Sequence, residues 1–477
     1  MSIMELYALL PIGALGLGSV AILLAGAFAG DIPKRYLNLA GATIGLASAV
    51  FAVPRLPGGL EVGGMISAGQ FDRLFVVFSG LVAAFTLLLS AGYTERRPLG
   101  REEYPALVLF AAFGMDVLAS AVSLLGLFLG LECMSLALYI LLASNRDDAL
   151  SGEAGLKYLV VGAVSTAFLS FGLALIYAQS GTLSISGAMA ALTVDGVPSP
   201  AGLAGWAFII VGFGFKASLF PFHLWAPDVY EGGPAPVVAF LSTGSKAAVM
   251  TALLKLVLAS GAAWATVMPA FWVMSAATMV FGNLAALTQE NIKRLLAYSS
   301  MAQMGYVLMA VVAAPATGPG PAMFFIFAYT AMEMGAFGVV AAMSGRDSDL
   351  GDISRIRGLG YVYPLRSAVL TVCMVSLAGL PPTAGFMAKF QVFYAAVGAG
   401  YVYLAAIGIL TAIASVYYYL KVVVALYMRP ASDTVLPEGI RIIPSMDTEG
   451  KVALVVIALV IIALGVLPGG LMGLLAR

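Results

Sequence analysis

Several groups able to hold a proton stand where the surrounding chain is apolar. Five basic residues fall inside long apolar runs, Lys216, Lys246, Lys255, Lys389 and Lys421, and all five are lysines. Arginine keeps its proton at any usable pH, whereas a buried lysine can be moved towards neutrality. A route that loads and unloads protons therefore needs lysine. Lys421 and Lys255 lie near the ends of their runs, where a long side chain also reaches water by snorkelling. Lys246 sits in the middle of its run, in FLSTGSKAAVM, and Lys216 and Lys389 each stand beside a proline break. Holding a charge at such depth costs a few kcal/mol or more, roughly, so these three are the leading candidates for chemistry.

Acidic residues at depth are fewer. Glu132 lies in LFLGLECMSLALYI, Glu333 in FAYTAMEMGAFG, and Asp116 near the end of another run. A lone buried carboxyl stays protonated, but one beside a lysine holds that lysine charged. Glu132 is the natural partner for Lys216. Glu333 is either a second such group or a protonated acid packed between helices. His223, the only histidine of the chain, follows the first break and is placed either to relay a proton or to make a structural hydrogen bond. Glu153 and Lys157 form an i,i+4 pair that reads as surface dressing or as part of the path.

The elements that position these groups are membrane helices. The chain has 477 residues, 61% hydrophobic and 10% charged, with a mean hydropathy of +1.00. Soluble domains carry roughly 25% charged residues, so this composition excludes a water-facing surface. The runs are continuous and lack the alternation of a barrel, which predicts an all-α polytopic membrane protein. About fourteen transmembrane helices are expected, the first of them at the N-terminus, where MSIMELYALLPIGALG lacks the basic start of a signal peptide.

Two of the spans are broken by proline. One break follows Lys216 in GFGFKASLFPFHLWAPDVYEGGPAP, and the other precedes Lys389 in SLAGLPPTAGFMAKF. Each lysine is followed by another in the next span, Lys246 and Lys421. Paired broken helices in corresponding halves mark an inverted-repeat transporter. The expected organisation is three N-terminal helices (1–103), a first five-helix repeat (104–260, broken near 216–227), a second of inverted topology (261–428, broken near 379–389), and a loop with a C-terminal helix (429–477).

Sixteen basic residues, from Lys34 to Lys451, fall in connections on one side, against Arg55 and Arg73 on the other. The basic side is expected to be cytoplasmic, which puts both termini in the periplasm. Net charge is zero, and nothing suggests nucleic acid as a partner. Cys133 and Cys373 are too few for an iron–sulfur site or a disulfide framework. Gly212–Ala217 matches a dinucleotide fingerprint by letter, but it lies inside an apolar helix and not after a strand, so it carries no meaning. No flavin, nicotinamide or metal motif occurs elsewhere.

Three blocks resemble a known family: GFGFKASLFPFHLWAPDVYEGGPAPVVAFLSTGSKAA, QENIKRLLAYSSMAQMGY and SLAGLPPTAGFMAKF. They are similar to the signatures of the antiporter-like subunits of respiratory complex I and of related cation/proton antiporters. The resemblance extends over nearly the whole chain. Longer members of that family add a lateral helix, absent here, and others carry a glutamate where Lys389 stands. The resemblance implies a proton path of Glu132, Lys216, Lys246 and Lys389, with His223, Lys293, Glu153 and Lys157 as secondary members. It gives no role to Glu333, Lys255 or Lys421. It also implies no cofactor in this chain, NADH, FMN, iron–sulfur clusters and quinone belonging to partner subunits. The implied partners are other membrane-arm subunits, including other antiporter-like ones, and the lipid bilayer of the bacterial inner membrane. The implied activity is proton translocation driven by electron transfer elsewhere in an NADH:quinone oxidoreductase. The alternatives are a subunit of a multisubunit Mrp-type Na⁺/H⁺ antiporter and a membrane scaffold with a vestigial polar axis.

Overall fold

The computed structural model describes residues 2–30, 32–53, 59–194, 197–345, 349–428 and 446–475. Of the residues used for orientation, Arg55, Arg346, Arg429 and Arg441 lie outside them. The described chain is helical almost throughout. Its long helices are α1 (Ile3–Phe28), α2 (Lys34–Ala52), α3 (Gln70–Arg96), α4 (Glu103–Ser120), α5 (Leu124–Leu142), α6 (Ala149–Ser180) and α7 (Pro200–Lys216). They continue with α8 (Ala235–Ala259), α9 (Trp264–Leu287), α10 (Ile292–Thr317), α11 (Gly320–Met343) and α12 (Pro364–Ala378). The last three are α13 (Ala384–Gly398), α14 (Val402–Tyr427) and α15 (Thr448–Val466).

Among the described residues, eleven helices are long and apolar enough to cross a membrane. Two shorter apolar helices, α7 and α12, are the first halves of the two expected broken spans. A short helix at Ile185–Ala190 occupies the connection before α7. Among the described residues the strands are two residues long, as in the pairing of Glu61–Val62 with Ile66–Ser67.

Burial orders the helices. Helices α8, α10 and α11 are nearly or wholly enclosed, while α1, α6, α9, α14 and α15 leave most of their residues at least partly exposed. That outer surface is apolar, with Phe171, Leu410 and Ile413 among its exposed side chains. A bundle whose periphery is as greasy as its core fits lipid or apolar partners, not water. Helix ends are closed by basic side chains as the helix dipole favours. Arg73 at the start of α3 donates to the carbonyls of Phe51 and Ala52 at the end of α2, at 2.9 and 3.0 Å.

The two breaks differ in detail. In the first, α7 ends at Lys216, five residues ahead of Pro221. Ser218 turns the chain with φ 57°, and the Leu219 amide closes back on the Gly214 carbonyl at 2.8 Å. Short helix Ala226–Gly232 follows. In the second break, α12 ends on Gly379 at φ 83°, a conformation glycine adopts without penalty. Pro381 and Pro382 carry the chain to α13, and Gly385 packs directly on the end of α12. A Cβ at Gly385 would lie 1.8 Å from the Ser376 carbonyl oxygen. Gly385→Ala is therefore expected to force the half-helices apart and destabilise the subunit by about 1–3 kcal/mol. The check is the melting temperature and subunit content of the purified parent complex.

Helix α8 opens into a single π turn at Leu241–Ser245, immediately before Lys246. Such turns recur at functional positions in helices.

Candidate proton path

Lys216, the last residue of α7, is 2% exposed, and Lys246 and Lys389 are 0% and 5% exposed. Snorkelling is therefore excluded for all three. Lys216 Nζ donates to Ser135 Oγ at 2.7 Å and to the Tyr139 hydroxyl at 3.2 Å, both on α5. The rings of Tyr139, Tyr158 and Phe215 surround it, with centroids 5.1–5.7 Å away. An ammonium over aromatic faces gains by cation–π attraction, more so when desolvated. The expected direct pair with Glu132 is not closed. Glu132 Oε1 is buried with no hydrogen-bond partner, and the ammonium sits one turn further along α5, on Ser135. The carboxylate remains near enough to interact with Lys216 through charge.

Lys246 points at α10. Its Nζ donates to Ser300 Oγ at 2.7 Å and lies 5.3 Å from the Tyr230 ring. Ser300 also accepts from the Tyr329 hydroxyl of α11 at 2.6 Å. Beside it, Ser299 and the Tyr419 hydroxyl are 2.5 Å apart. Gln303, one turn on, donates to Tyr419 at 3.0 Å and to the Leu377 carbonyl at 3.2 Å. Lys389 Nζ donates to that same carbonyl at 2.9 Å and to the Ala378 carbonyl at 3.2 Å. These are the open carbonyls at the end of α12, where the negative end of the helix dipole favours a cation. Polar groups on one face of α10 thus link the surroundings of Lys246 to Lys389. Tyr306 continues that face, its ring 5.4 Å from Lys389 Nζ.

Lys216 and Lys246 are not joined by hydrogen bonds. Between them stand the rings of Tyr158, Trp225 and Tyr230, tilted against one another with centroids 4.8 and 6.3 Å apart. His223 is half-buried and packs on Phe220 with ring centroids 5.6 Å apart, and its Nδ1 has no partner. It is not brought into contact with any of the three lysines.

At the basic side the expected Glu153–Lys157 pair is formed at 2.6 Å, and Lys157 also reaches Asp228 at 2.7 Å. Arg294 joins Asp228 and Glu231 at 2.9 and 2.8 Å. Lys293 is deeper. It bonds the Gly233 carbonyl at 2.7 Å and Asp349 at 2.9 Å, and Asp349 also holds Arg97 at 2.9 Å. Tyr93 donates to Asp349 at 2.8 Å, and the Ala235 amide at 3.0 Å. Burial opposes ionisation of Asp349, but Lys293 and Arg97, with the hydrogen bonds of Lys293 and Tyr93, hold it below the usual carboxylate range. A polar cavity of about 120 Å³ lies against this cluster, lined by Asn145, Glu231 and Asn291 among others. Lys255 pairs with Asp72 at the start of α3. Lys421 bonds the Gln289 carbonyl at 3.0 Å.

Ser300, Tyr329, Ser299, Tyr419, Gln303 and Asp349 were not singled out from the sequence. A signal existed for part of this set. Ser299, Ser300, Gln303 and Tyr306 recur at helical spacing through AYSSMAQMGY, a polar stripe on an otherwise apolar helix.

Comparisons with known proteins agree with this architecture. Residues 121–415 match the family described as NADH:quinone oxidoreductase/Mrp antiporter, transmembrane. NADH-quinone oxidoreductase subunit N of Geobacter metallireducens is 46% identical over 477 residues, covering 100% of this chain and 99% of the relative. A chain of respiratory complex I from Thermus thermophilus superposes with TM-score 0.78 at 33% identity, over 97% of this chain and 98% of that one. A chain of the Mrp complex from Dietzia sp. shares the fold with TM-score 0.86 at 21% identity, over 99% and 96%. Identity of this extent, end to end, leaves one conclusion: the chain belongs to the antiporter-like membrane-subunit family of NADH:quinone oxidoreductases and Mrp antiporters, with its full-length relatives in the subunit N branch.

Proposed function

We propose that this chain is a proton-translocating subunit in the membrane arm of a bacterial NADH-quinone oxidoreductase, a translocase component driven by electron transfer in partner subunits. One observation carries the reading. Three buried lysines, Lys216, Lys246 and Lys389, each donate only to neutral groups: hydroxyls for the first two, backbone carbonyls for the third. A buried ammonium without a closed ion pair has little to lose by giving up its proton, and a carboxylate that swings in restores it. At ~4 Å and an effective dielectric near 20 an ion pair is worth about 4 kcal/mol, roughly a thousandfold in proton affinity. Glu132, one turn from the present site of Lys216, is the group that would make or break such a pair. The proton then passes to Lys246 and along the polar face of α10 to Lys389. Lys293, Glu153, Lys157 and His223 serve as secondary members of the path.

The chain itself needs no redox group for this role. NADH, FMN, iron–sulfur clusters and quinone belong to partner subunits, and the neighbours in the membrane arm include other antiporter-like subunits. The excess of basic residues on one side supports a cytoplasmic position for that side and a periplasmic one for both termini, in the inner membrane. The test is NADH-driven proton uptake by inverted vesicles carrying Lys216→Ala in the intact complex. Protons taken up per electron are expected to fall while NADH oxidation persists at a reduced rate. An unchanged ratio sinks the lysine role. Co-purification of flavin and iron–sulfur absorbance separates this reading from a free-standing cation/proton antiporter.

A further inference from the structure

Glu333 is fully buried at the middle of α11, and neither of its carboxyl oxygens has a hydrogen-bond partner. A carboxyl left so is uncommon. Buried polar groups are hydrogen-bonded in the great majority of cases, and exceptions are associated with strain, chemistry or bound water. Burying an ionised carboxyl with no compensation is costly enough that the group takes up a proton instead. Its position is equally specific. Tyr329, one turn earlier on α11, donates to Ser300, the hydroxyl on which the Lys246 ammonium rests. Met332, next to Glu333, touches Ser376 near the end of α12, and Gly335 packs against Cys373 of the same helix. Helix α11 therefore stands between the Lys246 site and the second broken helix.

The titratable groups within electrostatic reach of Glu333 are Lys246, Tyr230, Tyr329, Tyr419 and Cys373. Lys246 is the one cation among them, and the two do not close an ion pair. Resting on the translocation reading above, we propose that Glu333 is itself a carrier on the path, receiving the proton from Lys246 and releasing it towards Lys389. In the receiving step an N–H bond of the Lys246 ammonium breaks and an O–H bond forms on the Glu333 carboxylate. The pair passes from ammonium plus carboxylate to amine plus carboxyl, so the net charge of the enclosed bundle does not change. In the releasing step the carboxyl O–H breaks and, by way of Tyr419 and Gln303, whose Oε1 also has no partner, an N–H bond forms on the uncharged Lys389 amine, leaving Glu333 a carboxylate and Lys389 an ammonium. The charge-neutral exchange is the physical advantage of a carboxyl here. A lone lysine would alternate between a bare buried cation and an uncharged amine, and the first of these is expensive at this depth.

The experiment uses the intact complex in inverted vesicles, with E333Q, E333D and K246A compared for NADH oxidation and proton uptake per electron. E333Q keeps the shape and removes the titrating proton. It is expected to lower proton uptake per electron in the assembled complex, with E333D restoring at least part of it. An acid that serves only in packing predicts the reverse, E333Q pumping as the unaltered complex does. If K246A loses pumping and E333Q keeps it, the carrier role of Glu333 is wrong and the lysine path stands. If both pump normally, the path itself is wrong. Should E333Q fail to assemble, infrared difference spectra during turnover decide between E333D and the unaltered complex. A carboxyl band that changes on turnover and shifts with the shorter side chain supports the carrier. A band unaffected by turnover overturns it.

Discussion

Lys246→Ala is expected to stop proton uptake almost completely while leaving the subunit in the complex. Lys246 lies in a wholly enclosed helix and is the group that meets Ser300, through which the polar face of α10 is reached. On the proposed path its loss removes the one cation between Lys216 and Ser300. Even about 3 kcal/mol of added barrier lowers a rate roughly a hundredfold, since each 1.36 kcal/mol is tenfold. Lys246→Arg is the more telling variant. It keeps the positive charge and many of the contacts, but its guanidinium does not release a proton. If charge alone mattered, arginine would rescue pumping. Proton exchange requires that it does not, and proton uptake per electron in vesicles distinguishes the two.

The second large effect concerns stability. Asp349→Ala leaves Arg97 and Lys293, each with a side chain only 2% exposed, without their shared counter-charge. Breaking one side of a buried ion pair costs about 3–5 kcal/mol, enough to unfold a marginal membrane subunit or release it from its complex. The cluster ties the end of α3, the start of α8 and the start of α10 at one place, so its loss loosens three helices together. The pH dependence follows from the depressed ionisation of Asp349. Its stabilisation is fully present above the ordinary carboxylate value of 3.8 and is lost as pH falls through the lower folded-state value. Between pH 5 and 8 the contribution stays constant. Melting of the solubilised complex, Asp349→Ala against the unaltered protein, should show a large difference across that window that narrows only in strong acid.

Much of this was legible in the sequence, and for identifiable reasons. Lysine in an apolar run is a strong signal because its burial is costly, so Lys216, Lys246 and Lys389 stood out without any structure. Proline beside two of them announced the breaks. What the letters could not convey is which atoms the ammonium groups touch. Lys216 rests on Ser135 and Tyr139, not Glu132, because hydroxyls one turn away offer short hydrogen bonds. Serine and tyrosine are ordinary in membrane helices, so Ser300, Tyr329 and Tyr419 carried no mark of their own. Asp349 stands in a connection between helices, and only the fold shows it enclosed by two cations. The prolines mark each break without giving its first residue, since the chain leaves the helix at Lys216, five residues ahead of Pro221, and at Gly379, ahead of Pro381.

The π turn at Leu241–Ser245 has a geometric consequence for the chain that follows. It inserts one extra residue into the winding of α8, and each residue advances an α-helix by about 100°. Everything from Lys246 onward is therefore out of phase with Ala235–Phe240 by roughly that angle. The helix acts as two rods of different azimuth joined end to end. Its first rod is clocked to suit the chain leaving the first break, and its second aims Lys246 at Ser300. Straightening this turn into regular helix without removing a residue would swing the lysine by about 100° to a neighbouring face, whereas deleting one residue within 241–245 would restore one continuous winding and leave the lysine aimed as it is.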